Sequence, residues 1–250
     1  MANNFFRTSN PILRGDPFAT TDASQGTMTL NGTIHKTGIL FLLLIAGASW
    51  TWYVAGAEGM AAAMPWMIGG LIGGLALALA TCFVKTWAPL TAPVYAVLEG
   101  FALGGISAYF DQSYAGIASQ AVAATFGVFL VMLALYASGM VRATPMLVRG
   151  VIAATGAVAI LYLVNMVMAM FGHSIGFIND SSPMSIAFSG FVVVLAAFNL
   201  ILDFSAIEAG AESGAPKYME WFGAFSLIVT LVWLYIEVLR LLTKTRGRRS

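Results

Sequence analysis

Charged residues are scarce in this chain of 250 residues: they make up 9% of it, against about 25% in a typical soluble domain. So few charges cannot cover the surface of a globule in water. Apolar residues account for 59% of the sequence, and the mean hydropathy is +0.85. The composition excludes an ordinary soluble enzyme, a disordered chain and a nucleic-acid-binding protein. It predicts an all-α, polytopic membrane protein whose main partner is the lipid bilayer.

Cysteine and the common catalytic or metal-binding motifs are also nearly absent. Cys82 is the single cysteine, so an intrachain disulfide cannot form. The chain has no HExxH, P-loop or GxSxG motif, and His35 and His173 lack the spacing of metal ligands. We therefore expect no enzymatic activity, no cofactor and no metal site.

Both ends of the chain are predicted to lie outside the membrane domain. Residues 1–34 are polar, and no apolar stretch of the signal-peptide type follows the start, so we expect an uncleaved polar tail. A basic tail at residues 244–250 follows the last apolar run. The membrane domain is therefore predicted at residues 35–243.

Long runs with few charges divide this domain into seven predicted spans. A hydrocarbon core about 30 Å thick needs about 20 residues of helix, and each run is long enough. The runs far exceed the roughly ten residues of a transmembrane β-strand. The predicted helices lie at about residues 37–57, 62–84, 89–110, 114–139, 147–171, 184–208 and 217–242.

Basic residues between the predicted spans concentrate in alternate loops. The second, fourth and sixth loops carry Lys85, Arg142, Arg149 and Lys217, whereas the others carry Glu58, Asp111 and Asp180. Because cytoplasmic loops hold the excess of Lys and Arg, this pattern predicts a cytoplasmic N-terminus. With seven crossings, the basic C-terminal tail would then lie on the opposite side, against the same rule.

Glycines recur at a spacing that is typical of closely packed membrane helices. Small residues four apart let two helix backbones approach each other. The second and third predicted spans carry them at Gly69, Gly70, Gly73, Gly74, Gly100 and Gly104. We expect packing within the bundle, with a homodimer face as the alternative.

Four acids in or at the ends of the spans are the candidate functional residues. A carboxylate at bilayer depth is costly and normally faces a cavity or a partner. Asp203 ends a charge-free run, with Asn199 one turn earlier on the same face, and Glu99 lies inside the third span. Glu220 and Glu237 lie near the two ends of the seventh span.

Each acid also has a structural interpretation. Glu237 and Arg240 are three residues apart and can form an intrahelical ion pair. Glu220 can sit at the membrane interface, and Glu99 can hydrogen-bond within the bundle. No Lys or Arg lies near mid-span to neutralise Asp203, which makes it the strongest candidate. Two buried acids sharing one site would titrate as a unit.

Parts of the sequence resemble the Bax-inhibitor family, and its bacterial YccA-like branch is the most similar. NLILDF at residues 199–204 and AFSLIVTLVWLYIEVLRLL at 224–242 resemble the last two helices of that family. EGFALGGIS at 99–107 resembles its third helix. The resemblance implies a bundle of seven transmembrane helices in a bacterial inner membrane.

The resemblance also implies a function. Some members are pH-sensitive calcium leaks, in which one aspartate on the sixth helix and one on the seventh act as sensor and gate. Asp203 matches the first aspartate, but Thr230 stands at the second position and cannot titrate. The substitute acid could be Glu99, Glu220 or Glu237, and Thr230 could donate a hydrogen bond to Asp203.

Two classes of function therefore remain open. The first is a passive pathway for calcium or protons, since carboxylate and carbonyl oxygens suit calcium, although too few acids converge for a tight site. The second is a membrane interaction protein that transports nothing, such as a modulator of a membrane-bound protease, which is suggested for the YccA-like branch. In that case, the polar N-terminal tail would be the segment that contacts the partner.

Overall fold

The computed structural model describes residues 26–173 and 175–248. Seven helices in this part of the chain are long and apolar enough to cross a membrane, which confirms the predicted all-α membrane fold. A single helical turn, α6, lies in the loop before the sixth span. The helices are α1 (Leu30–Ala57), α2 (Met60–Phe83), α3 (Ala88–Ser113), α4 (Ile117–Ala137), α5 (Pro145–Met170), α6 (Gly176–Asn179), α7 (Pro183–Glu212) and α8 (Met219–Gly247).

The first and last helices extend beyond the predicted spans. Helix α1 begins at Leu30 rather than near residue 37, because the Thr29 hydroxyl caps it by accepting a hydrogen bond from the Gly32 N–H at 3.0 Å. Helix α8 continues to Gly247, through residues predicted as a basic tail. The positions of charged residues predict where an apolar stretch ends, but the helical backbone hydrogen bonds continue beyond that point. Most of the predicted N-terminal tail, residues 1–25, lies outside the described residues.

Helix α8 is the central element of the bundle. It packs against α1, α3, α4 and α7, and 67% of its most apolar stretch is buried. Helix α3 packs between α1 and α2, while α5 packs mainly on α7 and has only 11% of its most apolar stretch buried. The α7–α8 interface is therefore formed by the most buried span and one of its main neighbours, and Asp203 and Ser226 within it are half-buried.

Glycines bring α3 into direct backbone contact with its two neighbours. A β-carbon built at Gly100 or Gly104 would clash with the backbone of α1, and one at Gly70 would clash with the α3 carbonyl of Leu98. Gly47 on α1 faces the α3 backbone in the same way, although the sequence pattern did not single it out. These helices approach each other as closely as the glycine spacing predicts.

The remaining predicted packing glycines behave differently from one another. A β-carbon at Gly73 would lie 2.9 Å from Leu98 Cδ1, and one at Gly74 would lie 2.8 Å from Glu99 Oε2, so both meet side chains. Gly69 is exposed, and nothing lies within 4 Å of its β-carbon position, so the prediction that it packs within the bundle is wrong, while the alternative of a homodimer face stays a prediction. Adjacent helical residues point about 100° apart, since a helix has 3.6 residues per turn, so Gly70 faces the α3 backbone while Gly69 points away from it.

Two basic residues at the end of α8 are held by tertiary contacts. The Lys244 ammonium donates hydrogen bonds to the Ile178 carbonyl at 2.7 Å and to Ser189 Oγ at 2.9 Å. The Arg246 guanidinium donates to the Ala115 carbonyl at 3.1 Å and to Gln120 Oε1 at 2.9 Å. The end of α8 thus lies beside the loops that carry the acidic residues. These contacts give the basic residues a structural role in binding the loops, independent of the charge rule for topology.

Candidate functional site

Asp203 joins α7 to α8 through both of its carboxylate oxygens. Ser226 Oγ donates to Oδ1 at 2.5 Å, and Thr230 Oγ1 donates to Oδ2 at 2.6 Å. Ser226 and Thr230 are four residues apart, so they share one face of α8. The bond from Thr230, raised as a possibility by the sequence, is present. Ser226 was missed, although its spacing from Thr230 could have indicated it.

Asp203 lies inside the α7 span, nearer to its Glu212 end. It precedes Glu212 by roughly 14 Å, at 1.5 Å rise per residue, and α7, with 30 residues, is longer than a hydrocarbon core about 30 Å thick requires. Among the described residues, none forms an ion pair with Asp203. A carboxyl held only by neutral hydroxyls can exchange a proton or a cation without first breaking a salt bridge.

Glu220 is not the second acid of this site. Its carboxylate forms ion pairs with Lys36 on α1 and with Lys217, the latter at 2.9 Å. The backbone N–H and the hydroxyl of Thr29 both donate to Glu220 Oε1 at 2.9 Å. The side chain of Glu220 is fully buried. Its carboxylate occupies the space that a β-carbon at Gly32 would need, so the glycine makes room for it. Glu220 therefore ties the start of α1 to the start of α8.

We expect Glu220→Ala to destabilise the protein by about 1.5–3 kcal/mol, because the hydrogen bonds to its charged carboxylate from Lys36, Lys217 and Thr29 are lost. The measurement is the thermal unfolding midpoint of the purified protein in detergent. Glu58→Ala, at an exposed position, is the matched control and should leave the midpoint unchanged. Equal midpoints for the two variants would contradict a structural role for Glu220.

The contacts of Glu237 and Glu99 are also with residues other than Asp203. Glu237 Oε1 accepts from Arg240 Nη1 at 3.2 Å, so the intrahelical pair expected from the sequence is present. Arg240 in turn stacks on the Tyr162 ring of α5. Glu99 lies beside Gly74 at the α2–α3 contact, and no ion pair includes it in the described part of the chain. Among the described residues, the structure joins no second acid to Asp203 by a hydrogen bond.

Asn199 does not belong to the Asp203 cluster, contrary to its predicted place there. Its amide donates to Thr155 Oγ1 of α5 and to the Leu195 carbonyl, both at 2.9 Å. The shared helix face alone suggested the grouping. Helix α7 packs against both α5 and α8, and Asn199 reaches toward the first while Asp203 reaches toward the second.

A further polar cluster near the basic loops was not found from the sequence. Glu208 on α7 accepts hydrogen bonds from the Tyr136 hydroxyl and from Arg142 Nη1, the latter at 3.2 Å. The Arg142 guanidinium also stacks over the Tyr136 ring, 5.0 Å from its centroid. These contacts hold the end of α4 against α7. In residues 26–173 and 175–248, no group of three or more His, Cys, Asp or Glu side chains could hold a metal ion.

In the described part of the chain, the fold and the site define a class of protein: a membrane bundle with seven spans, with a carboxyl between the last two spans that forms no ion pair. The family model described as "Bax inhibitor 1 like" matches residues 10–247. The chain therefore belongs to the Bax inhibitor 1 like family, which confirms the resemblance in its sequence. It matches no curated protein and no solved structure at a significant level.

Proposed function

We propose that this protein is a passive, pH-sensitive cation pathway, most simply a calcium leak, in which Asp203 binds the proton or cation. The observation that carries the proposal is the pair of hydroxyl contacts at Asp203 between α7 and α8. The carboxyl lies between α7 and α8, and no described residue forms an ion pair with it. Family membership supports the same function, because Asp203 stands where the family's first gating aspartate is expected.

The proposed mechanism differs from the family's pair of aspartates in one respect. Thr230 occupies the second position and contributes a hydroxyl rather than a charge. Ionised Asp203 would attract a cation into the α7–α8 interface, with the Ser226 and Thr230 oxygens available as neutral ligands. Protonated Asp203 would lose that attraction and hydrogen-bond the same hydroxyls, which favours a closed state. We therefore expect flux to fall as the pH falls.

A flux assay with the wild-type protein tests this function. The full chain is reconstituted into liposomes that contain a calcium-sensitive dye, and calcium entry is followed at one acidic and one alkaline pH. The proposal predicts entry above that of protein-free liposomes, with the faster rate at the alkaline pH. Entry equal to that of empty liposomes at both pH values would favour the alternative function, a membrane interaction protein that modulates a membrane-bound protease.

We also propose a bacterial inner-membrane location, which the resemblance to the YccA-like branch implies, and a cytoplasmic N-terminus, which the loop charges favour. In a Cys82→Ser background, single cysteines are placed at Thr86, Met140, Glu58 and Ser181, all of which are exposed. A membrane-impermeant maleimide applied to intact cells should label the cysteines at residues 58 and 181 and miss those at residues 86 and 140. The reverse labelling pattern would overturn this orientation.

A further inference from the structure

A deep slot separates α1 from α4 along part of their length. It has a volume of about 510 Å³, and it is backed by α3 and α8. Volumes of this size are typical of sites that hold small molecules. This space, the α1–α4 slot, has two side walls. One is formed by residues of α1 from Phe41 to Trp52, and the other by residues of α4 from Ala118 to Phe126.

The α1–α4 slot is lined by uncharged residues throughout. Its most polar feature is a pair of hydroxyls, Ser107 Oγ and Tyr235 Oη, which hydrogen-bond to each other at 2.7 Å. Because each of these hydroxyls already has the other as a partner, an apolar occupant beside them leaves neither without a hydrogen bond. The lining therefore complements a neutral hydrocarbon and offers no counter-charge to an ion.

The two ends of the slot differ in character. At one end the rings of Phe41 and Phe126 meet edge to face, with centroids 5.2 Å apart, and bridge α1 and α4. At the other end lie Trp52, Ser49 and Ser119, which are all exposed. This second end is the one shared by the end of α1 and the start of α4, next to the loops that carry Glu58 and Asp111.

The length of the slot matches the depth of one lipid leaflet. From Trp52 to Phe41, α1 rises roughly 16 Å at 1.5 Å per residue. Half of a hydrocarbon core about 30 Å thick is about 15 Å. An occupant that enters beside Trp52 would therefore reach the Phe41–Phe126 contact near the bilayer midplane, as the tail of a lipid in that leaflet does.

We propose that the α1–α4 slot binds one acyl chain of a phospholipid from the leaflet that faces the acidic loops. The head group lies at the exposed end beside Trp52 and Ser119, and the chain extends inward to the two phenylalanine rings. Along its length the chain packs against Leu231 and Val232 of the central helix α8. This site is separate from the Asp203 contacts with Ser226 and Thr230.

Photocrosslinking tests the proposal on the full chain in phosphatidylcholine nanodiscs. A small fraction of the phosphatidylcholine carries a diazirine in the middle of one acyl chain, and crosslinked peptides are identified by mass spectrometry. Leu231 and Val232 line the slot, and Leu231 is half-buried while Val232 is 7% exposed, so both have little surface outside the slot. The proposal predicts crosslinks to the α8 segment that contains these two residues.

Two filling variants have matched controls on the same helices. Val122→Trp on α4 and Ile45→Trp on α1 place a large ring in the slot, whereas Val131→Trp and Leu42→Trp place it on faces outside the slot lining. All four positions are exposed, so the bundle should tolerate each change. We expect both filling variants to lose the α8 crosslinks and both controls to retain them.

Three results would overturn the proposal. They are the absence of α8 crosslinks in the wild-type protein, their persistence in both filling variants, and their equal loss in the controls. If one filling variant fails to fold, the other still decides the outcome, because the two lie on different helices.

Discussion

We expect Asp203→Asn to abolish the pH dependence of cation flux while the protein still folds. Asparagine keeps the size of the side chain and its capacity to hydrogen-bond Ser226 and Thr230, but it cannot titrate. Because no described residue forms an ion pair with Asp203, the substitution leaves no unpaired charge behind. The measurement is calcium entry into proteoliposomes across a series of pH values.

Asp180→Asn is the control for this experiment. It makes the same chemical change in an exposed loop, where the hydroxyl of Ser182 donates a hydrogen bond that lowers the pKa of the Asp180 carboxyl. Asp180 therefore remains ionised throughout the neutral range, and its replacement should leave the pH profile unchanged. A wild-type profile in Asp203→Asn would show that Asp203 is not the sensor.

Thr230→Val keeps the argument testable if Asp203→Asn fails to fold. Valine has nearly the shape of threonine but lacks the hydroxyl, so one of the two hydrogen bonds to Asp203 is removed. We expect flux to remain pH-dependent with a displaced midpoint. An unchanged midpoint would show that the α7–α8 hydroxyl contacts do not set the response.

We expect Gly100→Leu to cause a large loss of folded protein. A side chain at this position enters the backbone of α1 around Leu44 and Gly47, and a backbone cannot move aside without displacing the whole helix. Overpacking of this kind costs about 1–3 kcal/mol and occasionally more. The measurement is the monodisperse fraction in detergent together with the thermal unfolding midpoint.

Substitutions at two other glycines serve as comparisons for Gly100→Leu. Gly69→Leu should leave the folded yield unchanged, because Gly69 faces open space. Gly73→Leu should reduce the yield to an intermediate level, since the nearest atom is the movable end of the Leu98 side chain. If Gly69→Leu were as damaging as Gly100→Leu, the close packing of α3 on α1 would not explain the loss.

The amino-acid sequence by itself determined the class of this protein and the number of its spans. Both depend on the length and hydropathy of continuous runs, because the thickness of the bilayer sets the number of apolar residues that a spanning helix needs. It also determined that Asp203 lacks a nearby cation within its own span, and that Gly100 and Gly104 permit a close helix contact. Each of these properties is local, so spacing within one segment is enough to reveal it.

Only the tertiary structure decided which side chains meet. Lys36 and Glu220 form an ion pair across almost the whole length of the chain, and Asn199 reaches a different helix from Asp203. Such contacts depend on the rotation of each helix about its axis, where one residue changes the direction by about 100°. They depend equally on which helices are neighbours, and hydropathy is nearly the same on every face of these spans. For that reason the sequence alone could not establish that Asp203 is hydrogen-bonded by the hydroxyls of Ser226 and Thr230 rather than joined to a second acid.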